Sequence, residues 1–154
     1  MSKFSAGILL FRRRSGQLEV LLVHPGGPFW SKKDEGAWSI PKGEIAPGED
    51  GFSAAKREFK EELGLPPPDG KSFPLGSVTQ KSGKVVYAWA LEGGVDLTAV
   101  KSNTFKMKWP PGSDTEREFP EVDKAEFFGL EEAEKNINPA QIEFLRKLSE
   151  ILQK

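Results

Sequence analysis

The sequence predicts a single α/β domain of 154 residues. Three observations favour this class: two strand-like apolar segments near the N-terminus, a bounded amphipathic helix in the middle, and another at the end. A chain of this length can bury one sizeable core but not two. We therefore take residues 1–154 as one domain.

The first two elements form a predicted β-hairpin. Residues 5–11 and 18–24 are apolar runs that flank a polar turn at residues 12–17. The second run is apolar enough for a central strand. Residues 25–36 hold glycine, proline, Phe29 and Trp30, which predicts a long exposed loop.

The central helix is predicted from an apolar stripe with helical spacing. The stripe consists of Phe52, Ala55, Phe59 and Leu63. Asp50 or Ser53 can cap the start of the helix, and Gly64 supplies the left-handed residue that commonly ends one. The helix is therefore bounded at both ends, with one face available for packing.

A second face of this helix carries three carboxylates, Glu58, Glu61 and Glu62. Positions i, i+3 and i+4 share a helix face, so their charges repel. Two unit charges ~4 Å apart cost roughly 4 kcal/mol near a protein surface. A hard divalent cation that prefers oxygen ligands, Mg²⁺ or Mn²⁺, would offset this repulsion. An isolated run of this kind would more often be a solvated face.

The remaining elements follow in alternation. Residues 66–70 form a proline-rich break, residues 73–80 and 84–91 two predicted strands, and the chain to residue 120 a polar region. Residues 125–128 predict a short strand and residues 130–136 a short helix. Asn138 and Pro139 predict the start of a last helix, whose apolar stripe docks on the sheet. That stripe comprises Ile142, Leu145, Leu148, Ile151 and Leu152.

Composition excludes several classes of function. The formal net charge of -1 argues against binding long nucleic acid, although small phosphorylated partners fit. The chain has no cysteine, which excludes disulfides and thiolate catalysis and is compatible with a cytoplasmic location. The arginines at 12–14 follow an apolar run, the wrong order for a signal peptide, and no stretch is long enough to cross a membrane. The oligomeric state is not predicted.

The segment from Gly43 to Leu65 resembles the Nudix box, G-x5-E-x7-R-E-U-x-E-E-x-G-U, at every specified position. The matching residues are Gly43, Glu49, Arg57, Glu58, Phe59, Glu61, Glu62, Gly64 and Leu65. Nine matches at fixed spacing are far more specific than a lone glycine motif. The resemblance implies a Nudix α/β/α sandwich, with a mixed β-sheet between helices, over essentially the whole chain.

The resemblance also implies a chemistry, the metal-assisted hydrolysis of a nucleoside diphosphate linked to another group. By similarity, Glu58 and Glu62 are the firmest metal ligands, followed by Glu61, with the Gly43 carbonyl as an additional one. Arg57 and Glu49 resemble an orienting ion pair. One or more divalent ions held by carboxylates shield phosphate charge and activate water.

The general base has two candidates, because Nudix relatives differ in its position. One is Glu58, inside the box. The other is Glu121, since residues 121–127 resemble a segment in which relatives place a further glutamate before a late strand. We favour Glu121 over Glu116 and Glu118 as an extra metal ligand or base, beside the alternative of a solvated surface acid.

Substrate choice is indicated by the residues around the box. Residues 38–44, W-S-I-P-K-G-E, resemble the corresponding segment of dinucleoside polyphosphate hydrolases, and residues 128–133 are similar to them too. Lys42 can neutralise phosphate, or it is an ordinary surface lysine. Tyr87, Trp89 or the Phe29-Trp30 pair can stack on a base, although strand aromatics are more often core.

Two further segments are assigned structural roles. His24 has no visible Ser or Asp partner, so a hydrolase triad is not expected. Residues 101–108 with Trp109 form either a basic flap over phosphates or a charged loop, and we favour the loop.

The predicted function is therefore that of a pyrophosphohydrolase acting on a dinucleoside polyphosphate such as diadenosine tetraphosphate. Nucleoside triphosphates, an RNA 5′ end and a diphosphoinositol are alternative substrates. A catalytically silent nucleotide sensor is the alternative class, but silent relatives typically lose box carboxylates and this chain keeps them.

Overall fold

The computed structural model describes residues 3–153, so residues 1–2 and 154 of the predicted domain lie outside the described residues. The strands are β1 (Phe4–Arg14), β2 (Gln17–Pro25), β3 (Lys42–Glu44), β4 (Ser72–Thr79), β5 (Val85–Glu92), β6 (Thr104–Lys108), β7 (Glu116–Pro120) and β8 (Val122–Gly129). The helices are α1 (Gly51–Leu63), α2 (Leu130–Asn136) and α3 (Ile142–Leu152). Short 3₁₀ turns lie at Leu97–Ala99 and Pro139–Gln141.

The main sheet is mixed, as predicted. In the described part of the chain its order is β4-β5-β1-β2-β8, and β3 also pairs with β1. The predicted hairpin is confirmed, since β1 and β2 pair antiparallel around the turn between Arg14 and Gln17. The pairing of β1 with β5 is parallel. Strands β1 and β2 are central and buried on both faces, which explains their near-continuous apolar sequence.

Helices cover both faces of this sheet, which confirms the α/β/α sandwich. Alternate residues of β1 point to opposite faces. Ile8 and Leu10 pack with Phe59 of α1, whereas Leu9 and Phe11 pack in the core that contains the α3 residues. From α3 this second core includes Phe144, Leu145 and Leu148. The apolar stripe predicted for the last helix therefore docks on the sheet.

Both predicted ends of α1 are confirmed. The Asp50 side chain accepts a hydrogen bond from the Ser53 backbone N–H at 3.1 Å, so Asp50 is the N-cap. Gly64 ends the helix with a left-handed φ of 76°, a conformation that glycine adopts without steric cost. The buried stripe, including Phe59 and Leu63, lies on the sheet.

The prediction that residues 101–108 form a loop is wrong. Residues 104–108 are strand β6, which pairs antiparallel with β7 in a separate two-stranded ribbon. Opposite charges face each other across the ribbon, Lys106 opposite Glu118 and Lys108 opposite Glu116. Such cross-strand pairs stabilise a ribbon. Phe105 and Met107 alternate with polar residues in β6, but β7 has no such alternation, so the sequence of the two strands does not reveal their pairing.

The C-terminal elements are those predicted, and the strand among them is longer than expected. Strand β8 spans eight residues and so extends the four-residue strand expected at 125–128. Helix α2 has the predicted bounds. The Asn138 side chain accepts from the Ala140 N–H at 3.0 Å and caps the 3₁₀ turn that leads into α3.

The predicted exposed loop lies between β2 and β3. Its aromatic side chains are solvent-exposed, at 58% for Phe29 and 42% for Trp30. Phe29 meets Trp109 edge to face, with ring centroids 5.4 Å apart. No helix within residues 3–153 is long and apolar enough to cross a membrane.

Replacing Phe144 by alanine is expected to lower the free energy of unfolding by about 3–5 kcal/mol, because it empties a fully buried aromatic site. Phe29→Ala is the control, since its ring is largely exposed, and should change stability by less than about 0.5 kcal/mol. Urea unfolding followed by circular dichroism measures both. Equal losses in the two variants would contradict the assignment of the α3 core.

Candidate active site

Arg57 ties the loop before α1 to the helix. Its guanidinium donates to both carboxylate oxygens of Glu49, at 2.8 and 2.9 Å, and to the Glu44 carbonyl at 3.0 Å. The paired bonds are a bidentate ion pair, as the sequence suggested. Hydrogen bonds from Arg57 and the Ala46 N–H lower the pKa of Glu49 to about 2, so Glu49 stays ionised.

Glu58 is packed closely against Gly43. Its side chain is only 14% exposed and accepts a hydrogen bond from Arg57 at 2.7 Å. A Cβ at position 43 would lie 1.9 Å from the Glu58 Oε2 atom, so only glycine leaves room for this carboxylate. Burial raises the pKa of Glu58, and Arg57 opposes the rise.

Glu62 is the most deeply placed carboxylate of the box. Burial raises its pKa to about 8, and the charges of Glu58 and Glu121 add to the rise. The Lys42 backbone N–H donates to Glu62 Oε1 at 3.2 Å. Burial also lowers the pKa of the Lys42 side chain, while Glu62 opposes that change. Lys42 is therefore a half-buried residue of the site and not an ordinary surface lysine.

Glu121 joins the box from a distant part of the chain. It lines a cavity of about 170 Å³ together with Lys42 and Glu62. Glu116 and Glu118 instead lie exposed on the β6–β7 ribbon. The structure thus brings together the sequence candidate that we favoured and leaves the other two outside. Glu121 is also solvent-exposed, and its place in the lining of this cavity beside Glu62 is what distinguishes it from the other two.

Glu61 lies at the edge of the group. Its side chain is 47% exposed and bonds to Arg57 at 3.2 Å. Among residues 3–153, no three acidic or imidazole side chains converge closely enough to form a ready metal-binding group. Glu58 and Glu61 instead both accept hydrogen bonds from the Arg57 guanidinium.

The donor set nevertheless fits a hard divalent cation. Glu58, Glu62 and Glu121 offer oxygen ligands only, which suit Mg²⁺ or Mn²⁺. Their mutual charges already favour protonation of Glu62, so a cation would relieve a repulsion that is present. The close approach of Glu58 to Gly43 places its carboxylate beside the backbone of β3.

A larger cavity of about 940 Å³ opens beside Glu58. Its lining includes Glu49, Arg57, Glu58, Tyr87 and Phe4. The two aromatic side chains are partly exposed, at 37% for Tyr87 and 45% for Phe4, with ring centroids 6.1 Å apart. Tyr87 is thus the outward-facing aromatic of β5. Trp89, the other candidate, packs against Phe52 of α1.

Sequence reasoning missed Phe4 and Lys84. Lys84 forms an ion pair with Glu44 at 3.2 Å, and its charge acts on Lys42. Both missed residues lie at the parallel junction of β1 and β5, where Phe4 pairs with Val85. No local pattern marks them, because only the pairing of two distant strands brings them to the site.

The expectation that His24 has no acidic partner is wrong. Its Nδ1 atom lies 2.7 Å from Asp123 Oδ1, and its Nε2 atom 2.5 Å from the Lys33 carbonyl oxygen. Both ring nitrogens are therefore engaged and neither is available to activate a nucleophile.

Fold and site together define a mixed α/β sandwich whose central helix presents partly buried carboxylates to two cavities. The model of the NUDIX domain matches residues 1–148. The chain belongs to the NUDIX family.

Individual relatives agree with this assignment. The asymmetrical bis(5′-nucleosyl)-tetraphosphatase of Caenorhabditis elegans is 38% identical over 61 residues, which is 40% of this chain and 40% of that protein. A C. elegans Ap4A hydrolase binary complex is similar in structure, with a TM-score of 0.67, 24% identity and coverage of 97% and 98% of the two chains. The NUDIX domain of Shewanella oneidensis NrtR complexed with ADP ribose also has a TM-score of 0.67, with 17% identity and coverage of 99% and 89%.

Without metal, the stability of the protein is expected to fall as the pH rises from about 4.5 to about 8 through the contribution of Glu62. In this range the folded chain keeps a proton on Glu62, whose ordinary pKa is 4.5, and the unfolded chain releases it. Raising the pH therefore favours unfolding. Urea denaturation in EDTA should show a smaller pH dependence for Glu62→Gln, and an unchanged dependence would contradict the burial of an uncompensated carboxyl.

Replacing Gly43 by alanine is expected to displace the Glu58 carboxylate, because the new Cβ would overlap Glu58 Oε2. We expect the affinity for Mn²⁺, measured from the electron paramagnetic resonance signal of the free ion, to fall at least about tenfold. Gly94→Ala is the matched control, since a Cβ there has no neighbour within 4 Å. Unchanged Mn²⁺ binding in Gly43→Ala would place the cation away from Glu58.

Proposed function

We propose that this chain is a divalent-metal-dependent pyrophosphohydrolase that cleaves a phosphoanhydride bond of a dinucleoside polyphosphate such as diadenosine tetraphosphate. The observation that carries the proposal is the placement of Glu58 and Glu62 on one face of α1. Glu58 borders the large cavity and Glu62 the small one. Family membership and the partial identity to a tetraphosphatase support the same reading.

The two cavities suit the nucleoside part and the phosphate part of such a substrate. Residues four apart on a helix are separated by about 6 Å along its axis, comparable to the reach of a short polyphosphate chain. In the proposal, a nucleoside occupies the larger cavity, where Tyr87 offers a face for stacking. Lys42, in the smaller cavity, neutralises phosphate charge.

Metal binding is assigned to the carboxylates and one backbone group. Glu58 and Glu62 would hold Mg²⁺ or Mn²⁺, aided by Glu61, Glu121 and the Gly43 carbonyl. When bound, the cation would shield phosphate charge and lower the pKa of a water molecule. Arg57 and Glu49 keep the loop before α1 closed on the helix and so orient the ligands.

We assign the general base, which accepts the proton of the attacking water, to Glu121 or Glu58. A water molecule attacks phosphorus, a P–O anhydride bond breaks, and the leaving phosphate carries away the electron pair. Glu121 is free of the Arg57 contact that engages Glu58 at 2.7 Å.

Other nucleoside diphosphate derivatives fit the same machinery. Nucleoside triphosphates, RNA 5′ ends and diphosphoinositols carry the same phosphoanhydride linkage, and a structural neighbour is complexed with ADP ribose. A silent sensor is disfavoured because all box carboxylates are present. We place the enzyme in the cytoplasm, a location compatible with a chain that has no cysteine.

Glu62→Gln is expected to reduce Mg²⁺-dependent hydrolysis of diadenosine tetraphosphate by at least about 10²–10³-fold. Removing one group that stabilises transition-state charge has an effect of this size in other enzymes. The fold should persist, because Gln has nearly the same volume. The measurement is product release followed by mass spectrometry. Glu118→Gln, on the exposed ribbon, is the control and should retain full activity.

Substrate choice is tested with the wild-type protein, Mg²⁺ and a panel of dinucleoside polyphosphates, nucleoside triphosphates, ADP-ribose and nucleotide sugars. Preferred cleavage of the dinucleoside polyphosphates is expected. Turnover of ADP-ribose alone would overturn the substrate assignment and leave the metal site intact. Binding without any product would point to a sensor.

A further inference from the structure

His24 is a fully buried polar residue that the mechanism above does not use. It lies near the end of β2, and 1% of its side chain is exposed. The ring edge rests on Trp38, with centroids 5.1 Å apart. The Lys33 carbonyl can only accept a hydrogen bond, so Nε2 donates to it. The Asp123 carboxylate also accepts, so Nδ1 donates to it as well. Burial without such partners would be costly.

Asp123 belongs to an irregularity in the pairing of β2 with β8. His24 is opposite Lys124 and Pro25 is opposite Val122, which leaves Asp123 without an opposite residue. This is the arrangement of a β-bulge, which re-aims side chains and is common beside active sites. His24 captures the side chain of the extra residue and so fixes where the bulge occurs.

The bulge stands two residues after Glu121. The backbone of Glu121 is held on both sides, since its carbonyl accepts from the Gly26 N–H at 2.9 Å and its N–H donates to the Asn103 carbonyl at 2.8 Å. Gly26 follows His24 by two residues. Two contacts thus join the region where β2 ends to the region where β8 begins, one between His24 and Asp123 and the other between Gly26 and Glu121.

We propose that His24 is a positioning residue that, through Asp123, holds Glu121 at the small cavity beside Glu62. The inference rests on the proposed role of Glu121 as metal ligand or base. If the bulge moved by one residue, Glu121 would shift along the strand and its side chain would leave the cavity that it shares with Glu62. Neither neighbour of His24 in the chain can take its place, because Val23 is apolar and Pro25 lacks an N–H.

Two substitutions distinguish a positioning role of His24 from a role in packing alone. In His24→Asn the amide nitrogen falls where Nδ1 was and can still donate to Asp123. In His24→Gln it falls closer to Nε2, so the Lys33 bond is kept and the Asp123 bond is lost. Gln fills more of the buried space than Asn. Packing alone therefore predicts that Asn is the more harmful change, and positioning predicts that Gln is.

The experiment measures Mn²⁺ affinity by electron paramagnetic resonance, together with kcat and KM for diadenosine tetraphosphate, in both variants with and without Glu121→Gln. We expect His24→Gln to lower Mn²⁺ affinity and kcat by about tenfold, with KM nearly unchanged. Losses of this size are typical when a residue that orients a metal ligand is mutated. In His24→Asn, Mn²⁺ affinity and kcat should fall by less than in His24→Gln. In the Glu121→Gln background, His24→Gln should have less than about a twofold further effect, because coupled changes are not additive.

Asp34→Asn is the matched control. Asp34 accepts from the Trp38 indole N–H at 3.2 Å and so anchors the same loop one residue after Lys33, without touching Asp123. It should leave Mn²⁺ affinity and kcat unchanged. Thermal unfolding of each variant establishes that it is folded at the assay temperature.

Two results would overturn the proposal. One is an equal loss from His24→Gln with and without Glu121→Gln. The other is a greater loss of Mn²⁺ affinity in His24→Asn than in His24→Gln. If Glu121→Gln changes neither Mn²⁺ binding nor kcat, the role of Glu121 and this proposal both fail. The pyrophosphohydrolase assignment is judged separately, by Glu62→Gln.

Discussion

The burial of Glu62 among other carboxylates is the constraint on which the site depends. Helix α1 docks on the sheet through residues such as Ala55 and Phe59, and this docking carries Glu62 out of water. Glu58 and Glu121 add negative charge around it, and the raised pKa is the outcome. A protein built for stability alone would replace such a group by an apolar one. Under the proposed function the acidic group has a use, because a cation would offset its mutual repulsion.

Arg57 lets this acidic segment fold before any cation is bound. It contacts Glu49, Glu58 and Glu61 together, which offsets part of their repulsion. Glu58 and Glu61 both accept from the Arg57 Nη1 atom, and among the described residues the carboxylates do not form a closed ligand group. A cation binding at Glu58 must therefore compete with Arg57. The ion pair of Arg57 with Glu49 is bidentate and can persist during that exchange.

Much of the fold could be predicted from local patterns, because those patterns record local physics. Near-continuous apolar runs marked the first strands, and the stripe that includes Phe59 marked α1 between Asp50 and Gly64. The β6–β7 ribbon was missed because β6 is short, although Phe105 and Met107 alternate with polar residues in it, and because β7 has no such alternation. Its stability comes from pairing, with Lys106 opposite Glu118. The acidic partner of His24 was missed for a similar reason, since Asp123 is 99 residues away in the chain.

The sequence by itself determined the family-like carboxylate helix and its caps, since spacing of 3 and 4 residues on one helix fixes which groups share a face. It also determined that Arg57 and Glu49 belong together. Only the tertiary structure decided that Glu121 meets Glu62, that Lys42 is half-buried, and that Phe4 accompanies Tyr87 in the large cavity. Each of these depends on strand pairing between distant segments. No local periodicity encodes such pairing, because its energy appears only when the sheet is assembled.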